Sequence, residues 1–193
     1  MTEDRFDILF VCHANLCRSP MAERLARRAF DDAFGPAAAG VVTASAGTRA
    51  FDGAGMHRGT AEVLGECGVD AGGFVSRTVT AGMLRAADLV LTASRDQRAA
   101  CLMVEPAAVR RAFTLRQFAR FAAEVKPVRG GTVATRMGRL VATVNATRHL
   151  AAPVPDGDDD LPDPVDQPIE AFRTCAEDVW LSLRAVVGVI AGA

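Results

Sequence analysis

Apolar residues recur in two rhythms along this chain, and the two alternate from one end to the other. Ile8, Leu9, Phe10 and Val11 form an unbroken apolar run, the pattern of a buried strand, here taken as residues 6–11. Ala22, Leu25, Ala26 and Phe30 then follow near helical spacing, with Pro20 suited to a first helical turn, so residues 20–34 are expected to be helical. The same reading expects strands at 41–45, 88–92 and 109–114. It expects helices at 57–66 (ended by Gly68), 81–87, 96–104, from about Leu115 onward, and at 168–189. Strands alternating with helices imply a parallel sheet covered by helices, with ligands beyond the carboxyl ends of the strands.

Composition narrows the function classes. At 193 residues a single domain spanning 1–193 is expected, large enough to bury a substantial core. Half the residues are hydrophobic and the formal net charge is −1, which argues against disorder and against generic nucleic-acid binding. The acidic N-terminus and its very short apolar run do not read as a secretory signal, and residues 186–193 are too short to span a bilayer. Five cysteines at irregular spacing read as thiols of a cytoplasmic protein. His13, His57 and His149 form no metal set, and neither a metal nor another cofactor is expected.

The candidate chemistry lies where the first strand meets the first helix. Cys12 ends the apolar run, five residues follow, and Arg18, Ser19 and Pro20 open the helical stretch. That order places a thiol, a loop of backbone amides and a guanidinium around one point at a helix N-terminus. The first helical N–H groups there lack internal partners and the dipole favours negative charge, so an oxyanion can bind. The same field favours a thiolate over a thiol, the form in which cysteine is a nucleophile. Arg18 would grip phosphoryl oxygens with two parallel donors, Ser19 could hydrogen-bond the thiolate, and Asn15 tolerates the left-handed backbone of a tight loop. Phosphoryl transfer through a phosphocysteine is the expected reaction. It needs a carboxyl group as acid and then base, and residue chemistry offers Asp156, Asp158, Asp159, Asp160, Asp163 and Asp166 without choosing among them.

The segment Cys12-His13-Ala14-Asn15-Leu16-Cys17-Arg18-Ser19-Pro20-Met21-Ala22-Glu23 resembles the phosphate-binding loop of the low-molecular-weight protein tyrosine phosphatases. Ser45-Ala46-Gly47-Thr48 and Asp163-Pro164 are similar to two further stretches of that family, in the same order. The resemblance implies a three-layer α/β fold of the phosphatase I-like type, a four-stranded parallel sheet with helices on both faces. It implies a protein tyrosine phosphatase with Cys12 as nucleophile, Arg18 as phosphate ligand and Asp163 as general acid. Residues 13–19 would hold phosphate, vanadate or sulfate, and a phosphotyrosine protein would be the substrate. Phe51 falls where the family has an aromatic wall, whereas Val165 stands where an aromatic is common. Leu16 resembles the aliphatic residue of tyrosine-specific members, where bacterial arginine phosphatases tend to have Thr. A reversible Cys12–Cys17 disulfide is also implied. Ala14 replaces a usual Gly, which would strain the loop if that position needs positive φ. Two other functions share such a loop: an arsenate reductase, for which Cys101 is the nearest further thiol, and a phosphate-binding module with impaired turnover.

One stretch, about 122–161, reads as an insertion into that pattern. Residues 126–149 carry five basic side chains and no acidic one. Val133, Met137, Leu140, Val141 and Val144 share a helical face, with Arg136 and Arg139 away from it. The expectation is an extra helix packed on the domain, followed by a solvated acidic loop at 156–160. A lid or docking element for acidic or phosphorylated partners is the alternative. Cys67, Cys101 and Cys175 are expected in the core.

Overall fold

The computed structural model describes residues 5–192, so the acidic residues 1–4 and Ala193 lie outside the described residues. Four strands, β1 (Phe6–Cys12), β2 (Val41–Gly47), β3 (Leu89–Thr92) and β4 (Ala112–Thr114), pair in parallel in the order β2-β1-β3-β4. Between and after them run α1 (Arg18–Phe34), α2 (Arg58–Glu66), α3 (Ala81–Ala86), α4 (Arg95–Val104), α5 (Leu115–Ala123), α6 (Val133–Thr147) and α7 (Ile169–Ala191). Alternation along β1 divides the core into two layers. Ile8, Phe10 and Cys12 face the larger cluster with α1, α5, α6 and α7, whereas Leu9 and Val11 face a smaller one under α3 and α4.

Local sequence explains most element ends. Thr80, Ser94, Thr114 and Thr132 cap α3, α4, α5 and α6 by accepting from the N–H of Met83, Gln97, Gln117 and Thr135. Helix α2 is followed by Gly68 at φ +69°, which L side chains rarely adopt. The fourth strand is shorter than the apolar pattern suggests, because Pro106 starts a 3₁₀ turn over Pro106–Arg110 that consumes its first half.

Three other expectations need correction. Arg136 does not point away from the packed face of α6: its Nη1 donates to the Ile190 carbonyl at 2.6 Å, and its guanidinium lies 5.1 Å from the Phe34 ring centroid. A long stem lets the charge reach past its own helix to a neighbouring helix end. Cys67 is exposed, since it sits one residue beyond α2, while Cys101 and Cys175 are buried as expected. Finally, the Asp156–Asp160 run is not uniformly solvated, for Asp159 is only 3% exposed.

What this architecture positions is the carboxyl end of β1. From β1 the chain passes to β2 on one side and later to β3 on the other, so the strand order reverses there. Such a switch point leaves a crevice between diverging connections, and Cys12 stands at its head.

Candidate active site

Residues 13–17 carry the chain from β1 into α1 without regular structure. Asn15 takes the sharpest turn at φ +56°; among the described residues the only other non-glycine residue with positive φ is Asp166. The left-handed position is therefore Asn15, so Ala14 carries no such strain. Cys17 occupies the N-cap of α1 and no side chain caps the helix. Ser19 lies inside the first turn, so it is not the cap.

The loop is held from outside by backbone bonds. The carbonyls of Cys12, His13 and Leu16 accept from the N–H groups of Thr48, Arg49 and His57 at 2.9, 2.8 and 3.0 Å. Gly47 permits this approach. A Cβ there would stand 2.6 Å from the His13 carbonyl oxygen and 2.8 Å from the Asn15 nitrogen, both backbone atoms with little freedom to move.

Inside, buried polar side chains form one network. Asn15 donates to Ser19 Oγ and Ser45 Oγ, both at 2.9 Å, and its Oδ1 accepts from the Arg77 N–H at 3.0 Å. Ser45 in turn donates to Glu23 at 2.6 Å. The Ser19 hydroxyl accepts from Asn15 and stands 3.0 Å from Cys12 Sγ and 3.2 Å from the Ala46 carbonyl. Its single proton thus serves either the sulfur or that carbonyl.

Arg18 opens α1 and is 6% exposed. Its Nη1 donates to the Leu161 carbonyl at 3.1 Å, its Nη2 pairs with the Asp163 carboxylate, and its Nε is buried without a hydrogen-bond partner among the described residues. The structure therefore brings Cys12, Arg18 and Ser19, neighbours at the β1–α1 junction, together with Asp163 from a segment 145 residues beyond Arg18. Asp163 keeps a side chain 40% exposed, between the arginine and solvent. Phe51 is 82% exposed on the loop after β2, His13 and Val165 are exposed, and Leu16 is half-buried against the larger cluster. Cys12 and Cys17 are both free and buried, and burial pushes the Cys17 thiol up to about 11.

Several residues of this arrangement had no role in the sequence reading. Ser45 and Gly47 sat in a recognisable stretch, yet only the fold shows one tying Asn15 to Glu23 and the other clearing space for the loop. Arg77 carried no local signal. Asp159 was one of six undistinguished acids.

The family model of the low molecular weight phosphotyrosine protein phosphatases matches residues 7–130. The probable low molecular weight protein-tyrosine-phosphatase EpsP of Ralstonia solanacearum is 31% identical over 114 residues, 59% of this chain and 73% of that protein. The crystal structure of the Erwinia amylovora tyrosine phosphatase AmsI superimposes with a TM-score of 0.68 at 20% identity, covering 95% of this chain and 92% of that one. The arginine phosphatase YwlE of Geobacillus stearothermophilus superimposes with a TM-score of 0.66 at 26% identity, covering 94% of this chain and 90% of that one. Among the described residues no helix is long and apolar enough to cross a membrane.

Proposed function

Because this chain belongs to the low molecular weight phosphotyrosine protein phosphatase family, whose members are cysteine-dependent hydrolases, we propose that it dephosphorylates phosphotyrosine proteins through a phosphocysteine on Cys12. The observation that carries this reading is the meeting of Cys12 Sγ, the Ser19 hydroxyl, the Arg18 guanidinium and the Asp163 carboxylate at one strand end. In the first step the Cys12 thiolate attacks phosphorus. An S–P bond forms, the P–O bond to the ring breaks, and the departing phenolate takes a proton from the Asp163 carboxyl. Charge then spreads over three equatorial oxygens, facing the loop amides and Arg18. Arg18 Nε, buried and unpartnered, is a donor available to such an oxygen. In the second step water attacks phosphorus and gives its proton to the Asp163 carboxylate. The S–P bond breaks, and the Ser19 hydroxyl hydrogen-bonds the sulfur that receives the electron pair.

Phe51, exposed two residues after Arg49, whose N–H bonds the His13 carbonyl of the loop, suits one wall of a slot for a phenyl ring. Leu16 favours an aryl ester over the phosphoarginine implied by the name of the YwlE neighbour. Phosphate, vanadate and sulfate are the simple oxyanions the loop would hold, and the free thiols suit a cytoplasmic protein. A thioredoxin-coupled arsenate reductase needs two further cysteines close together after the third strand, whereas Cys101 is the one thiol near that position and is wholly buried beneath the opposite face of the sheet. The case for impaired turnover rests on Ala14, Val165 and the insertion, and it loses Ala14, since the positive φ lies at Asn15 instead.

Hydrolysis of p-nitrophenyl phosphate, blocked by vanadate and lost in Cys12→Ser, is the expected result. Activity that survives in a folded Cys12→Ser protein would refute the phosphocysteine.

A further inference from the structure

We infer that Asp159 is a positioning residue for the reaction: its buried carboxylate, clamped between Arg95 and Arg120, holds the segment that presents Asp163 to Arg18. The inference rests on the hydrolase reading above. Asp159 is the sole fully buried member of the acidic run, although its neighbours Asp156 and Asp158 are exposed. Its Oδ2 accepts from Arg95 Nη2 at 3.2 Å, Arg120 Nη2 at 3.1 Å and Gln117 Nε2 at 3.4 Å, and its Oδ1 from Arg120 Nε at 3.3 Å. Its carbonyl accepts from Thr114 Oγ1 at 2.6 Å. Asp160 continues the attachment, with Oδ1 accepting from the Arg95 N–H at 2.9 Å and its carbonyl accepting from Arg116 Nη1 at 3.0 Å.

From that anchor the chain has little freedom before it reaches Asp163. The Leu161 N–H donates to the Ala93 carbonyl at 2.8 Å, its side chain is buried in the larger cluster, and its carbonyl accepts from Arg18 Nη1. Pro162 and Pro164 flank Asp163; each fixes its own φ and restricts the residue before it. Upstream the chain turns at Gly157, at φ +91°, and the Asp156 pair with Arg95 lies in full solvent, where it contributes little. A buried carboxylate facing two guanidiniums is costly to leave half-paired, so it draws α4 and α5 onto one point. That point lies four residues before Asp163, and the intervening backbone is stiff enough to carry its position to the acid.

General acid catalysis by a placed carboxyl contributes roughly 10²–10⁴-fold, most for poor leaving groups. The test therefore compares kcat/KM for phenyl phosphate with kcat/KM for 2,4-dinitrophenyl phosphate, whose phenolate departs without a proton. Asp159→Asn keeps the shape and removes the charge. The expected result is a loss of about tenfold on phenyl phosphate and less than about twofold on the dinitrophenyl ester, with vanadate inhibition within about twofold of wild type. Asp163→Ala supplies the reference for complete loss of the acid. An equal fall on both esters, or none on either, in a folded protein would overturn the inference, because a merely structural anchor does not distinguish leaving groups. If Asp159→Asn does not fold, Arg120→Gln opens the same clamp from its partly exposed side, and the same selectivity decides. A wild type without vanadate-sensitive hydrolysis would sink the hydrolase reading itself, and this inference with it.

Discussion

Replacing Asn15 tests whether the loop is held by its side chain or merely by its ends. Asn15→Ala deletes donors to Ser19 and Ser45 and the acceptor for the Arg77 N–H, at 2.9, 2.9 and 3.0 Å in a fully buried site. At about 1 kcal/mol for each lost bond, the deletion costs about 3 kcal/mol. Alanine at φ +56° adds about 1 kcal/mol of left-handed strain, for a total of about 4 kcal/mol. Asn15→Gly separates the two contributions. It loses the same bonds and escapes the strain, but gains about 0.4–1 kcal/mol of unfolded-state freedom, so it should match or exceed the alanine variant by up to about 0.6 kcal/mol. Trp180, the single tryptophan, reports urea unfolding by fluorescence. The midpoint should fall at constant m, and the alanine variant should melt about 8–16 °C lower than wild type. A loss below about 1 kcal/mol in Asn15→Ala would refute the claim that this network holds the loop. A glycine variant clearly less stable than the alanine one would refute the strain at φ +56°.

Gly47→Ala would press a Cβ to 2.6 Å from the His13 carbonyl oxygen, so the loop or β2 must shift. Because displacements of about 1 Å cost up to about 10²-fold in rate, we expect activity and vanadate affinity to fall together, and wild-type kinetics would refute the close approach. Alkaline pH should destabilise the fold. Burial raises Cys17 and Cys101 from 9.0 to about 11 and Cys175 to about 12, so the folded chain keeps protons that the unfolded chain releases. Stability contributed by these thiols is complete below about pH 9 and is lost as pH rises through about 11 to 12. Urea midpoints between pH 8.5 and 10.5 should decline, less steeply in Cys101→Ala; parallel slopes would refute burial as the cause.

Much of this protein is decided by neighbours in the chain. Four apolar residues from Ile8 to Val11 can only be satisfied inside a sheet, and Cys12 falls at the end of that strand whatever packs around it. Arg18 follows within one loop, so the thiol and the guanidinium meet through local geometry at the start of α1. Helical rhythm likewise marked α1, α6 and α7, because a stripe of apolar side chains carries its own period. Other properties depend on residues far away in the sequence. Asp156, Asp158 and Asp159 are chemically alike, yet Asp159 alone is buried, because Arg95 and Arg120 reach it from two helices that precede it by dozens of positions. Ser45 and Arg77 matter only because β2 and the segment before α3 lie beside Asn15. Arg136 turned inward because the end of α7 offered a carbonyl that the pattern of α6 could not foretell. Backbone periodicity is written residue by residue, but the partner of a buried charge is chosen by the packing of the whole chain.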